Sequence, residues 1–191
     1  MASRIFTVPN QLTFLRLGFL PFFIISIHYR RYGVALAVLI IAALTDGLDG
    51  LLARSLNQKT ALGAYLDPIA DKLLLSSSVV VLALNRKISW WLATLVLSRD
   101  ILLLTSAAVI LVVAGYRVFP PSIYGKLTTA AQILFVFAVV LLAVANWPWL
   151  QFVRMILGYL VAGLTVFSGF HYSIVVARRL SDQQGRTKAS V

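Results

Sequence analysis

The chain has 191 residues, of which 60% are hydrophobic and 12% charged, with a net charge of +11 and a mean hydropathy of +0.91. Soluble domains carry about a quarter charged residues, so this composition argues against a soluble globule. The absence of cysteine excludes disulfides, thiolate metal sites and cysteine nucleophiles. The basic excess reads as cytoplasmic loops and contact with anionic membrane lipid, so no nucleic-acid partner is expected.

A membrane span needs about 20 mostly apolar residues, and the chain accommodates six. The pattern predicts an all-α, polytopic membrane protein, a six-transmembrane-helix bundle. Its parts are an interfacial N-terminal segment (1–11), a six-span membrane domain (12–177) and a basic flexible tail (178–191). Pro9 and Asn10 suit a helix start, with Asn10 as N-cap. The first span covers about 12–27, with Arg16 near its start and a kink expected at Pro21. His28-Tyr29-Arg30-Arg31 follows it, where a cleaved signal would end in small residues, so the span reads as retained. The second span covers about 33–54 and carries Asp46 and Asp49 at its end. A short connection leads to a third span over about 67–84, with Asp67 as cap and Pro68 in its first turn. The fourth, about 88–114, contains Arg99-Asp100. Neighbours in sequence do not face each other on a helix, so these two are expected to have different partners. The fifth and sixth cover about 124–145 and 150–177. Gly158, Gly163 and Gly169 in the last are expected to serve close helix contact.

Six spans put both termini on one side. That side carries more of the loop Lys and Arg, which makes it cytoplasmic. Trp90, Trp91, Trp147 and Trp149 gather toward the opposite face as an aromatic belt.

Charge placement singles out one stretch. The chain has six acidic residues, all Asp, and four of them lie between Thr45 and Lys72. A carboxylate within a membrane helix costs about 3 kcal/mol on insertion scales, so four together imply a compensating cation. Asp46, Asp49, Gly50 and Ala53 follow i, i+3, i+4, i+7 and share a helix face; Asp67 and Asp71 are i, i+4 on the next helix. A short connection makes the two helices antiparallel neighbours, so the carboxylates can meet at the cytoplasmic end. Oxygen ligands without His or Cys select a hard cation, Mg²⁺ or Mn²⁺. Such a cation pairs naturally with a phosphoanhydride substrate, here an amphiphilic one.

The pattern Asp46-x-x-Asp49-Gly50-x-x-Ala53-Arg54, eight residues, then Gly63-x-x-x-Asp67-x-x-x-Asp71 resembles the signature of the CDP-alcohol phosphotransferases at all eight fixed positions. The resemblance implies transfer from a CDP-linked lipid, CDP-diacylglycerol, to an alcohol with release of CMP. It implies two divalent ions held by Asp46, Asp49, Asp67 and Asp71, with Asp71 doubling as general base. Gly50, Ala53, Arg54 and Gly63 would serve the nucleotide and donor. A homodimer in the cytoplasmic membrane of a bacterium, with its active site facing the cytoplasm, is also implied.

For the acceptor, Val8-Pro9-Asn10-x-Leu12-Thr13-x-x-Arg16 and Asp67-Pro68-x-Ala70-Asp71-Lys72 resemble the bacterial phosphatidylglycerophosphate synthases of this family, whose acceptor is glycerol 3-phosphate. That anion needs cations, and Arg99, Arg117 and Lys126 are the candidates. Two departures stand out. Thr128 replaces the second Lys of a Gly-Lys-x-Lys-Thr segment, and Ser98-Arg99-Asp100 replaces Ala-Arg-Glu. Ser-Arg-Asp is closer to the family's cardiolipin synthases, which use phosphatidylglycerol, so that acceptor is the alternative. A small ion transporter is the remote alternative of another class; its broken helices and repeated halves have no counterpart here.

Overall fold

The computed structural model describes residues 8–56, 61–114 and 123–189, with side chains at 14–15, 17–45, 70, 72–105, 123–172 and 174. Six helices account for nearly all of it: α1 (Val8–His28), α2 (Tyr32–Leu56), α3 (Ala61–Leu84), α4 (Trp90–Ala114), α5 (Ile123–Ala145) and α6 (Pro148–Ala189). No strand occurs among the described residues, as the long apolar runs predict.

Helix boundaries differ from the sequence expectation in four places. Helix α1 begins at Val8, so Asn10 lies inside it and the helix passes unbroken through Pro21. Helix α3 begins at Ala61, so Asp67 is not its cap and Pro68 sits two turns inside. Apolar Ala61, Leu62, Ala64 and Tyr65 extend the helix backward, and tertiary context tolerates the one hydrogen bond that Pro cannot donate. Helix α6 does not stop at 177 but continues to Ala189. Its polar end contains three Arg and two Gln, which are good helix formers. Helix α4 starts at Trp90 rather than 88, a difference within ordinary fraying.

Three tight turns join the helices at one end. Each places a non-glycine residue in the left-handed region: Arg30 at φ 58°, Arg86 at φ 56° and Asn146 at φ 49°. Two are complete Schellman caps. Arg30 N–H donates to Ile27 O at 3.0 Å and Arg31 N–H to Ser26 O at 2.8 Å. Arg86 N–H donates to Ala83 O at 2.9 Å and Lys87 N–H to Leu82 O at 2.8 Å. Arg takes the place where Gly is usual, at the steric cost of its Cβ.

The helices close into a ring among the described residues. Helix α1 packs on α2 and α3, α3 on α4, α4 on α6, α6 on α5, and α5 back on α2; α3 also touches α5 across the middle. Phe23, Ile27, Leu82, Val96, Val139, Val140 and Val161 fill the centre. Helices α2 and α3 therefore flank α1, rather than packing side by side over the described residues; a short connection brings helix ends together without forcing the rods to pair along their length.

The surface departs from that of a soluble protein. Large apolar side chains such as Phe22, Ile101, Ile123, Phe152 and Phe170 are exposed, while Arg99, Asp100, Thr128, Gln132, Thr165 and Ser168 are buried. Exposed apolar surface on this scale marks contact with an apolar medium. Among the described residues two stretches, Ile123–Ala145 and Pro148–Tyr172, are long and apolar enough to cross a membrane, with shorter apolar segments at Leu17–His28, Tyr32–Thr45 and Lys72–Leu84.

Candidate active site

The helix bounds set the register of the Asp stretch. Asp46 lies ten residues before the Leu56 end of α2, and Asp71 lies ten residues after the Ala61 start of α3. Asp49 is seven residues before the one end and Asp67 six after the other. At 1.5 Å per residue, positions 46 and 71 sit about 15 Å, and positions 49 and 67 about 10 Å, from the Leu56 end of α2 and the Ala61 start of α3 respectively. Positions 46 and 49 thus lie in the C-terminal half of α2, and positions 67 and 71 in the N-terminal half of α3. Gly50, Ala53 and Arg54 continue α2 toward the turn, and Gly63 opens α3. Side chains of 46–69 and 71, and Arg117 altogether, lie outside the described residues. Among the residues whose side chains are described, no group of three or more His, Cys, Asp or Glu gathers. The donor set of the stretch is all carboxylate oxygen, with no His or Cys from Thr45 to Lys72, which fits Mg²⁺ or Mn²⁺ and not a soft metal.

Directly beside this stretch lies a buried ionic cluster. Lys72, the residue after Asp71, donates from Nζ to Asp100 Oδ1 on α4. Arg99 Nη1 donates to the same oxygen at 2.9 Å, and Ser76 Oγ donates to Asp100 Oδ2 at 3.3 Å. Arg99 Nη2 reaches Ser168 Oγ on α6 at 3.2 Å and the Gly125 carbonyl at the start of α5 at 3.4 Å. One carboxylate and one guanidinium thus tie α3, α4, α5 and α6 together next to the Asp stretch. The cluster holds two basic side chains and one acidic one.

This outcome corrects one expectation: Arg99 and Asp100 do bond each other. The backbone places their Cβ atoms apart, but the long Arg side chain bends around to reach Asp100 while its second nitrogen still finds Ser168. Both residues are buried, 4% and 3% exposed. Arg99 sits inside an ion pair and Lys126 is exposed on α5. The Arg99 Nε–H has no partner.

Thr128 is fully buried; its hydroxyl donates to Tyr124 O at 2.7 Å and lies 3.3 Å from Leu164 O across on α6. A Lys at this position would have to fit between α5 and α6, so the departure at 128 is a packing feature of this chain. One turn further, Gln132 is 1% exposed with neither amide atom partnered, and the Thr165 hydroxyl opposite is likewise unpartnered.

Lys72, Ser76 and Ser168 are not among the site residues that the sequence predicts. The signal for Lys72 is present in the chain: a lysine and an aspartate in separate apolar helices need each other, because neither is tolerated alone there. For Ser168 there is no such signal, since a serine in a membrane helix can bond its own backbone.

The family pattern described as CDP-alcohol phosphatidyltransferase matches residues 6–167. A protein of Mycobacterium tuberculosis named as a probable phosphatidylglycerophosphate synthase is 35% identical over 96% of this chain and 86% of its own length. A Shigella flexneri protein named CDP-diacylglycerol–glycerol-3-phosphate 3-phosphatidyltransferase is 32% identical over 93% of this chain and 99% of its own. A Mycobacterium bovis protein named as a candidate cardiolipin synthase is 36% identical over 66% of this chain and 61% of its own. The matched region contains α2, α3 and the whole eight-residue signature, so the chain belongs to the CDP-alcohol phosphatidyltransferase family.

Proposed function

We propose that this protein transfers the phosphatidyl group of CDP-diacylglycerol to glycerol 3-phosphate, forming phosphatidylglycerophosphate and releasing CMP. The observation that carries this reading is the near full-length similarity to a relative named for that transfer, joined to the spacing of Asp46, Asp49, Asp67 and Asp71 in the sequence. The acceptor hydroxyl oxygen attacks the phosphatidyl phosphorus, a new P–O bond forms, and the anhydride P–O bond to CMP breaks. Asp71 takes the hydroxyl proton as general base. Asp46, Asp49, Asp67 and Asp71 are the residues that would hold a divalent ion, Mg²⁺ or Mn²⁺, and a pair of ions is the reading for this family, which works with divalent metal. When bound, the metal neutralises the phosphates and the departing CMP. Gly50, Ala53 and Gly63 leave room for the nucleotide on the face of the hairpin, and Arg54 pairs with its phosphates.

Lys126, Arg99 and Arg117 are proposed to receive the anionic acceptor. Lys126 is exposed and can meet a phosphate directly. Arg99 is committed to Asp100 and Ser168, so its free Nε–H is what remains for a ligand. Phosphatidylglycerol is the second acceptor reading, favoured by Ser98-Arg99-Asp100 and by the relative named for cardiolipin synthesis. Nothing in the family membership supports ion transport.

All six helices are proposed to span the membrane, with the Asp stretch and both termini on the cytoplasmic side of a bacterial inner membrane, and the protein as a homodimer. The exposed large apolar side chains of the bundle support the embedding. Membranes carrying the protein are offered CDP-diacylglycerol with glycerol 3-phosphate or phosphatidylglycerol, and the lipid product is identified. Phosphatidylglycerophosphate is expected. Cardiolipin with no phosphatidylglycerophosphate would replace the first acceptor by the second, and no CMP release with either would end the proposal.

A further inference from the structure

Far from the Asp stretch, at the end of the bundle where the three tight turns lie, a groove of about 1020 Å³ opens between the starts of α4 and α6. Arg86, Lys87 and Arg154 line it together with Trp90, Trp91 and Tyr159. Arg154 Nη1 lies 3.5 Å from the Lys87 carbonyl, and Lys87 Nζ sits 4.7 Å from the centre of the Tyr32 ring. No carboxylate lines it, and the sole acid of α4, Asp100, is buried about 15 Å down the helix and paired with Lys72 and Arg99. Three cations therefore share one concavity with no counter-charge of the protein's own. Arg86 holds a left-handed backbone position there, where Gly would be less strained.

A second cavity continues from the first. It has a volume of about 880 Å³, shares Trp91 and Tyr159 with the groove, and runs on past Leu95, Gly163, Phe167 and Phe170 between α4 and α6. Its lining is almost wholly apolar. A side chain at Gly163 would meet nothing within 4 Å, so this glycine does not serve helix contact but leaves the trough open. Gly163 lies nine residues beyond Arg154, about 14 Å along α6. That matches one leaflet, half of a hydrocarbon core about 30 Å thick. Cations at the rim, tryptophans at the interface level and an apolar trough one leaflet deep describe the shape and polarity of a single lipid.

We propose that this composite groove binds one anionic phospholipid of the leaflet opposite the Asp stretch. Its phosphate lies among Arg86, Lys87 and Arg154, and one acyl chain lies in the α4–α6 trough down to Gly163. The proposal rests on the membrane embedding described above and is separate from the reaction. The headgroup is recognised by charge, so phosphatidylglycerol and phosphatidylserine bind alike and phosphatidylcholine binds less.

Purified full-length protein in detergent is titrated with each of the three lipids while its thermal unfolding midpoint is followed. The two anionic lipids are expected to raise the midpoint by about 5 °C and phosphatidylcholine by less than half of that. The double substitution Arg86→Gln and Arg154→Gln should erase the difference between anionic and zwitterionic lipid, and Gly163→Leu, which fills the trough without touching the cations, should remove most of the shift for all three. Equal shifts from all lipids, or an anionic preference that survives the double substitution, would overturn the headgroup site; a full shift in Gly163→Leu would overturn the trough. Because the chain has no cysteine, Gly163→Cys reports the competing occupant. Efficient disulfide cross-linking between copies in membranes would mean that a second copy covers the groove, and the proposal would fall. CMP release is assayed in parallel and should be unchanged in all three variants, so a failure of the lipid site and a failure of the proposed reaction are read separately.

Discussion

At the residue scale, Asp71 carries the sharpest expectation. It is assigned two duties, metal ligand and base, and Asn can perform neither well. Asp71→Asn should lower CMP release by at least 10²- to 10⁴-fold, the range for loss of a general base, while the protein still enters the membrane; near-normal turnover would remove Asp71 from the base role. Arg30 tests the turns instead. Its φ of 58° suits Gly and penalises a β-branched residue, so Arg30→Val should destabilise by about 1–2 kcal/mol and Arg30→Gly should not. With about 2–4 °C per kcal/mol for a chain of this size, thermal unfolding in detergent separates the two. Residue types and spacing alone make the Asp set legible. They do not make the Arg99–Asp100 bond legible, because the reach of a flexible arginine is decided by the room its neighbours leave.

At the element scale, Asp100 joins α3 to α4 through Lys72, Ser76 and Arg99, and Arg99 carries the link on to α5 and α6. Asp100→Asn leaves Lys72 and Arg99 without their carboxylate. Removing one partner of a buried ion pair costs about 3–5 kcal/mol, and the unfolding midpoint should fall accordingly. Asp100→Glu keeps the charge and should stay within about 1 kcal/mol of the parent, which would show that charge and not shape is required. The sixth helix offers a contrast of another kind. A Cβ on Gly158 would sit 3.4 Å from the Phe135 ring, whereas one on Gly163 meets nothing. A larger side chain at 158 would overpack α5 against α6, while 163 has room for one. By sequence spacing the glycines of α6 look equivalent. Only Gly158 faces a partner helix closely, and the helical phase that selects it depends on where α5 lies.

At the scale of the whole molecule, the bundle exposes large apolar side chains around an apolar core that also holds a set of buried polar groups, and its proposed orientation rests on loop charge. The cysteine-free chain permits single-cysteine labelling. Arg31→Cys should react with a membrane-impermeant reagent applied from outside, and Ser190→Cys only after the membrane is opened; the reverse pattern would invert the proposed topology. Metal dependence is proposed at this scale too, since the proposed ligands come from two helices. A strong chelator should abolish CMP release, and Mg²⁺ or Mn²⁺ added in excess should restore it. Release that persists under chelation would eliminate the metal from the reaction.

What the amino-acid sequence determined by itself is the helical class, the approximate helix positions and the Asp stretch with the family it belongs to. Each depends on local composition and on spacing along one chain, where period and charge cost act without reference to other helices. The tertiary structure decided the ring order α2–α1–α3–α4–α6–α5, the buried cluster that joins Lys72, Asp100, Arg99 and Ser168, and the groove between α4 and α6. These bring together residues 28 to 69 positions apart, and no local propensity encodes which helix faces which. That choice is made collectively, by the few packings in which the buried charges find partners and each apolar face finds either a neighbour or lipid.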